Sequence, residues 1–272
     1  MSAARPAAPA IRIEDAVKTY PGGEGFLSRR RDPVHAVAGV SLSVAKGETL
    51  AIVGESGSGK STLARMLVGL VEPSGGRFEI EGRDAASLRR EGPRAYGRAI
   101  QYVFQDPIAS LNPRKTIRTI LSGVLKRVAG LAEASAREAR MAELMRAVDM
   151  DPAALDRYPH EFSGGQAQRI AIARALAAQA SVLVLDEPVS ALDVSVQAQV
   201  LVLLDDLKAR LGLTYLFISH DLAVVEAVAD RVAVMQAGRI VETEESRTLF
   251  AAPREAYTRE LLASAPRLGS WS

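Results

Sequence analysis

Gly54-Glu55-Ser56-Gly57-Ser58-Gly59-Lys60-Ser61 fits the pattern G-x-x-x-x-G-K-[ST] at every fixed position. It follows an apolar run, Thr49-Leu50-Ala51-Ile52-Val53, and leads into a helical pattern, Thr62-Leu63-Ala64-Arg65-Met66-Leu67. A strand, a glycine-rich turn and a helix in that order form the context in which this motif acts. The glycines let successive backbone N–H groups turn inward as an anion-binding nest, and the helix aims its positive end at the same point. Lys60 then reaches the β- and γ-phosphates of a nucleoside triphosphate, and the Ser61 hydroxyl binds Mg²⁺. An ordinary Gly/Ser turn would need neither that lysine nor the flanking strand and helix. Gly54 through Thr62 are therefore the candidate phosphate-binding residues.

Outside this stretch, composition sets limits. The chain has 272 residues, 48% of them hydrophobic, which suffices for a sizeable core in one large or two small domains. A net charge of +2 gives little support to a nucleic-acid partner, and Arg29-Arg30-Arg31 reads as a solvated loop. With no cysteine there is no disulfide, no Cys-ligated zinc or iron–sulfur cluster and no thiol nucleophile. Residues 1–10 lack the apolar core of a signal peptide and read as a flexible tail. The longest apolar stretch, Ile170 to Leu185, is broken by Arg174, Gln179 and Ser181. It falls short of the roughly 20 apolar residues of a spanning helix. The expectation is a soluble chain that meets a membrane only through a partner.

Periodicity fills in the rest. Residues 11–20 and 34–45 alternate as strands around the breaker cluster Pro21-Gly22-Gly23-Glu24-Gly25. Further strands are expected at 77–80, 100–104, 182–185, 215–218 and 232–235, with helical stretches between them. That alternation predicts an α/β core, a largely parallel sheet with helices on both faces. Residues 117–156 carry Leu, Val and Met at helical spacing and read as a helical insertion.

The apolar strand Val182-Leu183-Val184-Leu185 ends in Asp186-Glu187-Pro188, which puts two carboxylates at the carboxyl edge of the sheet, where ligands of open α/β sheets sit. There Asp186 holds Mg²⁺ through water, and Glu187 polarises an attacking water as general base. Glu161-Phe162-Ser163-Gly164-Gly165-Gln166 offers a second anion-binding helix start, far in sequence from the first. Ser163 is a good N-cap for the apolar helix that follows, and the two glycines leave backbone N–H groups open. Taken alone, it is one more capped helix.

Ser-Gly-Gly-Gln before a helix, with the P-loop upstream and Asp186-Glu187 downstream, resembles an ATP-binding subunit of an ABC transporter. The resemblance covers residues 11–266. It implies a P-loop NTPase (RecA-like) core with an N-terminal antiparallel β subdomain and an inserted helical subdomain. The expected boundaries are a tail at 1–10, core with β subdomain at 11–105, and helical subdomain at 106–165. Core resumes at 166–240, with a C-terminal extension at 241–272. By the same resemblance Tyr20 stacks on adenine, and Gln105 senses Mg²⁺ and the attacking water. The loop Ser190-Ala191-Leu192-Asp193 communicates across a dimer, and His220 contacts the γ-phosphate. His35 and His160 have no partner constellation and receive no chemistry. Two copies, related or identical, would pair head to tail, with ATP between the P-loop of one and Ser163–Gln166 of the other.

Three stretches resemble the peptide/nickel importer branch in particular: Gln105 to Lys115, Glu187 to Gln199, and Leu216 to Leu222. The loop at 21–33 and the tail from Pro253 through Tyr257 to Leu262 do so as well, although that tail also reads as an amphipathic helix covering core surface. Ala167 stands where relatives often carry Arg. The branch implies uptake of di- or oligopeptides, or of nickel, glutathione or opines, at the cytoplasmic face of a bacterial inner membrane. Implied partners are two membrane-spanning permease subunits and, indirectly, an extracytoplasmic binding protein. A rival reading is a soluble ABC-type ATPase in a cytoplasmic enzyme complex, such as one degrading phosphonates.

Overall fold

The computed structural model describes residues 8–21 and 33–264. Most of the expected tail (1–7), the loop bearing the arginine run (22–32) and residues 265–272 lie outside them. The first half forms β1 (Ile11–Tyr20), β2 (Val34–Val44), β3 (Thr49–Val53), α1 (Lys60–Leu67), β4 (Gly75–Ile80) and β5 (Arg83–Asp84). Two short helices, α2 (Ala85–Glu91) and α3 (Pro93–Ala99), lead into β6 (Ile100–Val103). The middle of the chain is helical: α4 (Ile117–Val124), α5 (Ala134–Ala147) and α6 (Gly164–Ala177). Then come β7 (Val182–Asp186), α7 (Val194–Leu211), β8 (Thr214–Ile218), α8 (Leu222–Val228), β9 (Arg231–Gln236) and β10 (Arg239–Glu245). Helices α9 (Ser246–Ala251) and α10 (Ala256–Ser264) complete the described chain.

These strands make two sheets. One is antiparallel, in the order β2-β1-β4-β5; the other has six strands in the order β10-β9-β3-β8-β7-β6. Five of the six run parallel, and only β10 joins antiparallel, at the edge. All five residues of β3, β7 and β8 are buried, as expected of strands covered on both faces. Alternation along each strand divides them between two cores. Leu50, Ile52, Val182, Val184, Leu216 and Ile218 face α1 and the antiparallel sheet. Ala51, Val53, Leu183, Leu185 and Phe217 face the helical half of the chain, with α6 at its centre. The result is the layered P-loop fold expected from the motifs.

The differences from the sequence reading are local. The block at 117–156 is not continuous helix. Leu125–Ala129 is a π-helical stretch ending at Gly130, whose φ of 80° turns the chain before α5. A 3₁₀ turn, Pro152–Asp156, follows α5. Helices α2 and α3 and strand β10 were not anticipated. No residue of α3 is buried, so it has no apolar stripe to detect, and β10 carries three glutamates on a sheet edge. No helix among the described residues is long and apolar enough to cross a membrane.

Phe217, 1% exposed on β8, is among the largest fully buried side chains. Phe217→Ala is expected to lower unfolding free energy by about 3–5 kcal/mol, read as a shift of the urea midpoint with little change in slope.

Candidate functional site

The P-loop leaves β3 between its two parallel neighbours, β8 and β9, and is wedged against backbone on two sides. A Cβ added to Gly54 (φ +145°) would lie 2.1 Å from the Met235 carbonyl oxygen. One added to Gly59 (φ +110°) would lie 2.2 Å from the Ala36 carbonyl oxygen. Both positions therefore require glycine on steric grounds as well as for their dihedral angles. Gly59 sits at the N-cap of α1, whose first residue is Lys60. Lys60 is only 6% exposed, and its ammonium donates to the carbonyl oxygens of Gly54 and Glu55, each at 2.7 Å. Burial lowers its pKa from the ordinary lysine value, opposed by the charges of Glu187, Asp186 and Glu55.

A cavity of ≈ 600 Å³ opens above this loop. Ser56, Gly57, Gly59, Lys60, Ser61 and Thr62 form its floor, and Gln105, Glu187 and His220 one wall. These residues come from the ends of β3, β6, β7 and β8, which the parallel sheet gathers at one edge. Glu187 is held from both sides: Gln105 Nε2 donates to Oε2 at 2.8 Å, and His220 Nδ1 lies 3.0 Å from Oε1. Its backbone has φ +49°, a left-handed conformation uncommon for glutamate, pinned by its N–H bond to the Ile218 carbonyl. Asp186, 3% exposed, accepts from Ser61 Oγ at 3.0 Å through Oδ1 and from the Tyr102 hydroxyl through Oδ2.

Ser163, Gly164, Gln166 and Asp193 do not line this cavity. Ser163 caps α6 in a reciprocal box: Gln166 N–H donates to Ser163 Oγ at 3.4 Å, and Ser163 N–H to Gln166 Oε1 at 3.1 Å. Ser163, Gly164 and Gln166 are exposed, whereas Gly165 is buried and a Cβ there would meet Val196 Cγ1 at 2.3 Å. Asp193 is exposed and caps α7, accepting from Val196 N–H at 3.0 Å. Tyr20, at the end of β1, pairs with Val34, which lines the cavity. The Tyr20 ring itself is 40% exposed with Lys18 Nζ 5.0 Å from its centroid, and it is not among the lining residues.

Several neighbours were invisible in the sequence. His35 lines the cavity beside Gly238, with Nδ1 3.0 Å from Thr19 Oγ1. Tyr257, on α10, accepts a hydrogen bond at 3.2 Å from the Glu55 N–H of the P-loop. Its helix is tied down by Glu242, whose carboxylate accepts from the backbone N–H groups of Arg254 and Glu255. The signal for Tyr257 was only its place in the tail motif; for His35 there was none, since β2 reaches the cavity by tertiary packing alone.

The donor set suits a hard divalent cation carried in with phosphates. Ser61 and Asp186 present oxygens 3.0 Å apart beside the P-loop. No group of three or more His, Cys, Asp or Glu that could hold a metal by itself occurs among the described residues. One or two protein oxygens completed by substrate phosphates is the usual arrangement for Mg²⁺.

Comparison with known proteins agrees with this geometry. The sequence profile of the ABC transporter family matches residues 37–190. The probable peptide ABC transporter ATP-binding protein y4tS of Sinorhizobium fredii is 50% identical over 256 residues, covering 94% of this chain and 72% of that protein. The glutathione import ATP-binding protein GsiA of Escherichia coli is 49% identical over 258 residues, 95% of this chain and 41% of that longer protein. Among solved structures, the dimeric ATP-binding cassette MJ0796, in a post-hydrolysis state bound to ADP and Pi, is similar with a TM-score of 0.76 at 28% identity. That match covers 87% of this chain and 99% of that one. With half its residues identical to a curated member over nearly its whole length, and with the fold of a solved cassette, this chain belongs to the ABC transporter family as an ATP-binding protein.

Proposed function

We propose that this chain is the ATP-hydrolysing subunit of an importer of di- or oligopeptides, or of a related small solute such as glutathione, working at the cytoplasmic face of a bacterial inner membrane. One observation carries the mechanism. The P-loop, Gln105, Glu187 and His220 share a cavity, while the capped Ser163–Gln166 helix start is exposed and takes no part in its lining. A helix N-terminus with an exposed glycine and a formed capping box is an anion site without an anion in its own chain. A second copy, or a related ATPase subunit, placed head to tail brings that helix start to the open side of the cavity. Dimeric cassettes among the solved relatives support this assembly.

Within the cavity the roles follow from position. Backbone N–H groups of residues 54–62 and the Lys60 ammonium hold the phosphates of ATP. Glu187, oriented by Gln105 and His220, takes a proton from the attacking water. His220, exposed at the rim, reaches toward the γ-phosphate. Ser61 and Asp186 would hold Mg²⁺, which when bound neutralises charge developing on the β- and γ-phosphates. Tyr20 stacks on adenine at the end of β1, next to cavity-lining Val34. Asp193 fixes the start of α7 beside the partner subunit.

Transport needs a membrane partner, since no described helix can span a bilayer. A groove of ≈ 550 Å³ lies between α3, β6 and α4, lined by Tyr96, Phe104, Val124 and Val128 with Arg89 and Arg174. Phe104 immediately precedes Gln105, so a permease helix seated there would sense the state of the ATP cavity through one peptide bond. Closing and opening of the ATPase pair would move that seat. The relatives named for peptide and glutathione import support the substrate class.

Glu187→Gln is expected to retain ATP binding and to lower steady-state hydrolysis by about 10²–10⁴-fold, accumulating an ATP-locked dimer on gel filtration. Unchanged turnover would contradict the role of Glu187. Lys60→Ala should weaken ATP binding about tenfold or more, because it removes a charge-assisted contact, measured by nucleotide titration. Tagged Glu187→Gln, recovered from detergent-solubilised cells with Mg–ATP, is expected to carry two multi-spanning proteins and a second ATPase. Recovery of soluble enzyme subunits alone would overturn the transport reading and leave the ATPase chemistry standing.

A further inference from the structure

Tyr102 has no role in the sequence reading, because an aromatic residue inside the run Ile100–Phe104 looks like core. Its ring does behave that way. It is 7% exposed and packs edge-on against Phe104, with centroids 4.6 Å apart. The hydroxyl does something else: it donates to Asp186 Oδ2. Ser61 Oγ already donates to Oδ1 of the same carboxylate at 3.0 Å. Both oxygens are thus fixed, one from the P-loop helix and one from the neighbouring strand.

The register explains how this position reaches Asp186. Tyr102 pairs with Val184 in the parallel β6–β7 ladder. Val184 and Asp186 are two residues apart, so all three side chains share the sheet face covered by α1. From Tyr102, a ring lying along the strand direction carries its hydroxyl to the next position on that face. Phenylalanine would fill the same volume and leave Oδ2 without this donor. Burial, and then the adjacent carboxylate, raise the phenol well above the ordinary tyrosine range, with Arg65 opposing. The hydroxyl keeps its proton and serves as donor.

We propose that Tyr102 is a positioning residue that locks the orientation of Asp186 and thereby sets how tightly the site holds the Mg²⁺ of its nucleotide. The proposal rests on the reading of Ser61 and Asp186 as the metal-site pair. A buried acceptor deprived of its donor turns to recover another partner. With Tyr102 shortened, the carboxylate is free to rotate away from the direction that Ser61 and the metal require. The same ring faces the groove between α3, β6 and α4. Whatever seats in that groove therefore presses on the residue that holds Asp186, a path that does not pass through Gln105.

The test separates metal from nucleotide. ADP affinity is measured with EDTA and with Mg²⁺ for the wild-type protein and for Tyr102→Phe. Mn²⁺ binding to the ADP-loaded proteins is titrated by electron paramagnetic resonance. Tyr102→Phe is expected to keep its melting temperature and metal-free ADP affinity, and to bind Mn²⁺ about tenfold more weakly, as loss of one hydrogen bond to a charged group predicts. Its hydrolysis should recover at high Mg²⁺, since kcat at saturating metal depends on Glu187. Tyr102→Leu, which also lacks the hydroxyl, should show the same split. Wild-type Mn²⁺ affinity in either variant would overturn the proposal, as would a loss of metal-free ADP binding that matches the loss of Mn²⁺. If the wild-type protein itself gains no ADP affinity from Mg²⁺, the Ser61–Asp186 metal reading fails first, and this inference with it.

Discussion

A carboxylate enclosed as deeply as that of Asp186 is tolerated only where donors meet its oxygens, because desolvating it alone costs several kcal/mol. The donors here arrive from two directions, Ser61 on α1 and Tyr102 on β6. Meeting both requires α1 to lie against one face of β7 and β6 to pair with β7 in a single register. A one-residue slip would turn Tyr102 to the opposite face. The apolar alternation of β6 and β7, feeding two separate cores, makes that slip expensive. Packing on both sides of the sheet and the polar contact at its edge therefore specify the same arrangement.

The P-loop is constrained by backbone on two sides as well. Met235 on β9 and Ala36 on β2 each bring a carbonyl oxygen to where a Cβ of Gly54 or Gly59 would be. The cradle is thus built jointly by the parallel sheet and the antiparallel one. Lys60 is drawn in over the loop by the carbonyls of Gly54 and Glu55, so the cation proposed to meet phosphate is already held in place. Such preorganisation lowers the conformational entropy lost on binding. The strain at Glu187, with its positive φ, sits beside these fixed parts, where the surrounding hydrogen bonds over-determine it.

Much of this was legible because it is local. The P-loop, the apolar strand before Asp186-Glu187 and the capping box at Ser163 each declare themselves within a dozen residues. What stayed hidden depends on distant pairing. His35 reaches the cavity only because β2 packs beside the P-loop. Tyr257 meets Glu55 across 202 residues of chain. Tyr102 carries no polar signal, since its hydroxyl is one atom on a ring that suits the core. Helix α3 buries no residue and so shows no period. The exposure of the Ser163 helix start away from the cavity lining, and the absence of Tyr20 from that lining, are likewise facts of tertiary placement that no local pattern encodes.

The position of β3 also bears on how the protein is made. The strand that carries the P-loop is flanked by β8 and β9, which lie in the last quarter of the sequence. At bacterial and eukaryotic elongation speeds, the ribosome exposes β3 on the order of 10 s before either neighbour exists. During that interval a strand destined for full burial has two open edges, and Gly54 lacks the Met235 carbonyl wall that will confine it. The loop takes its final shape late, because one of its walls is the backbone of β9. Translational pausing between the codons for Val53 and Arg231 would therefore lengthen the period of greatest aggregation risk.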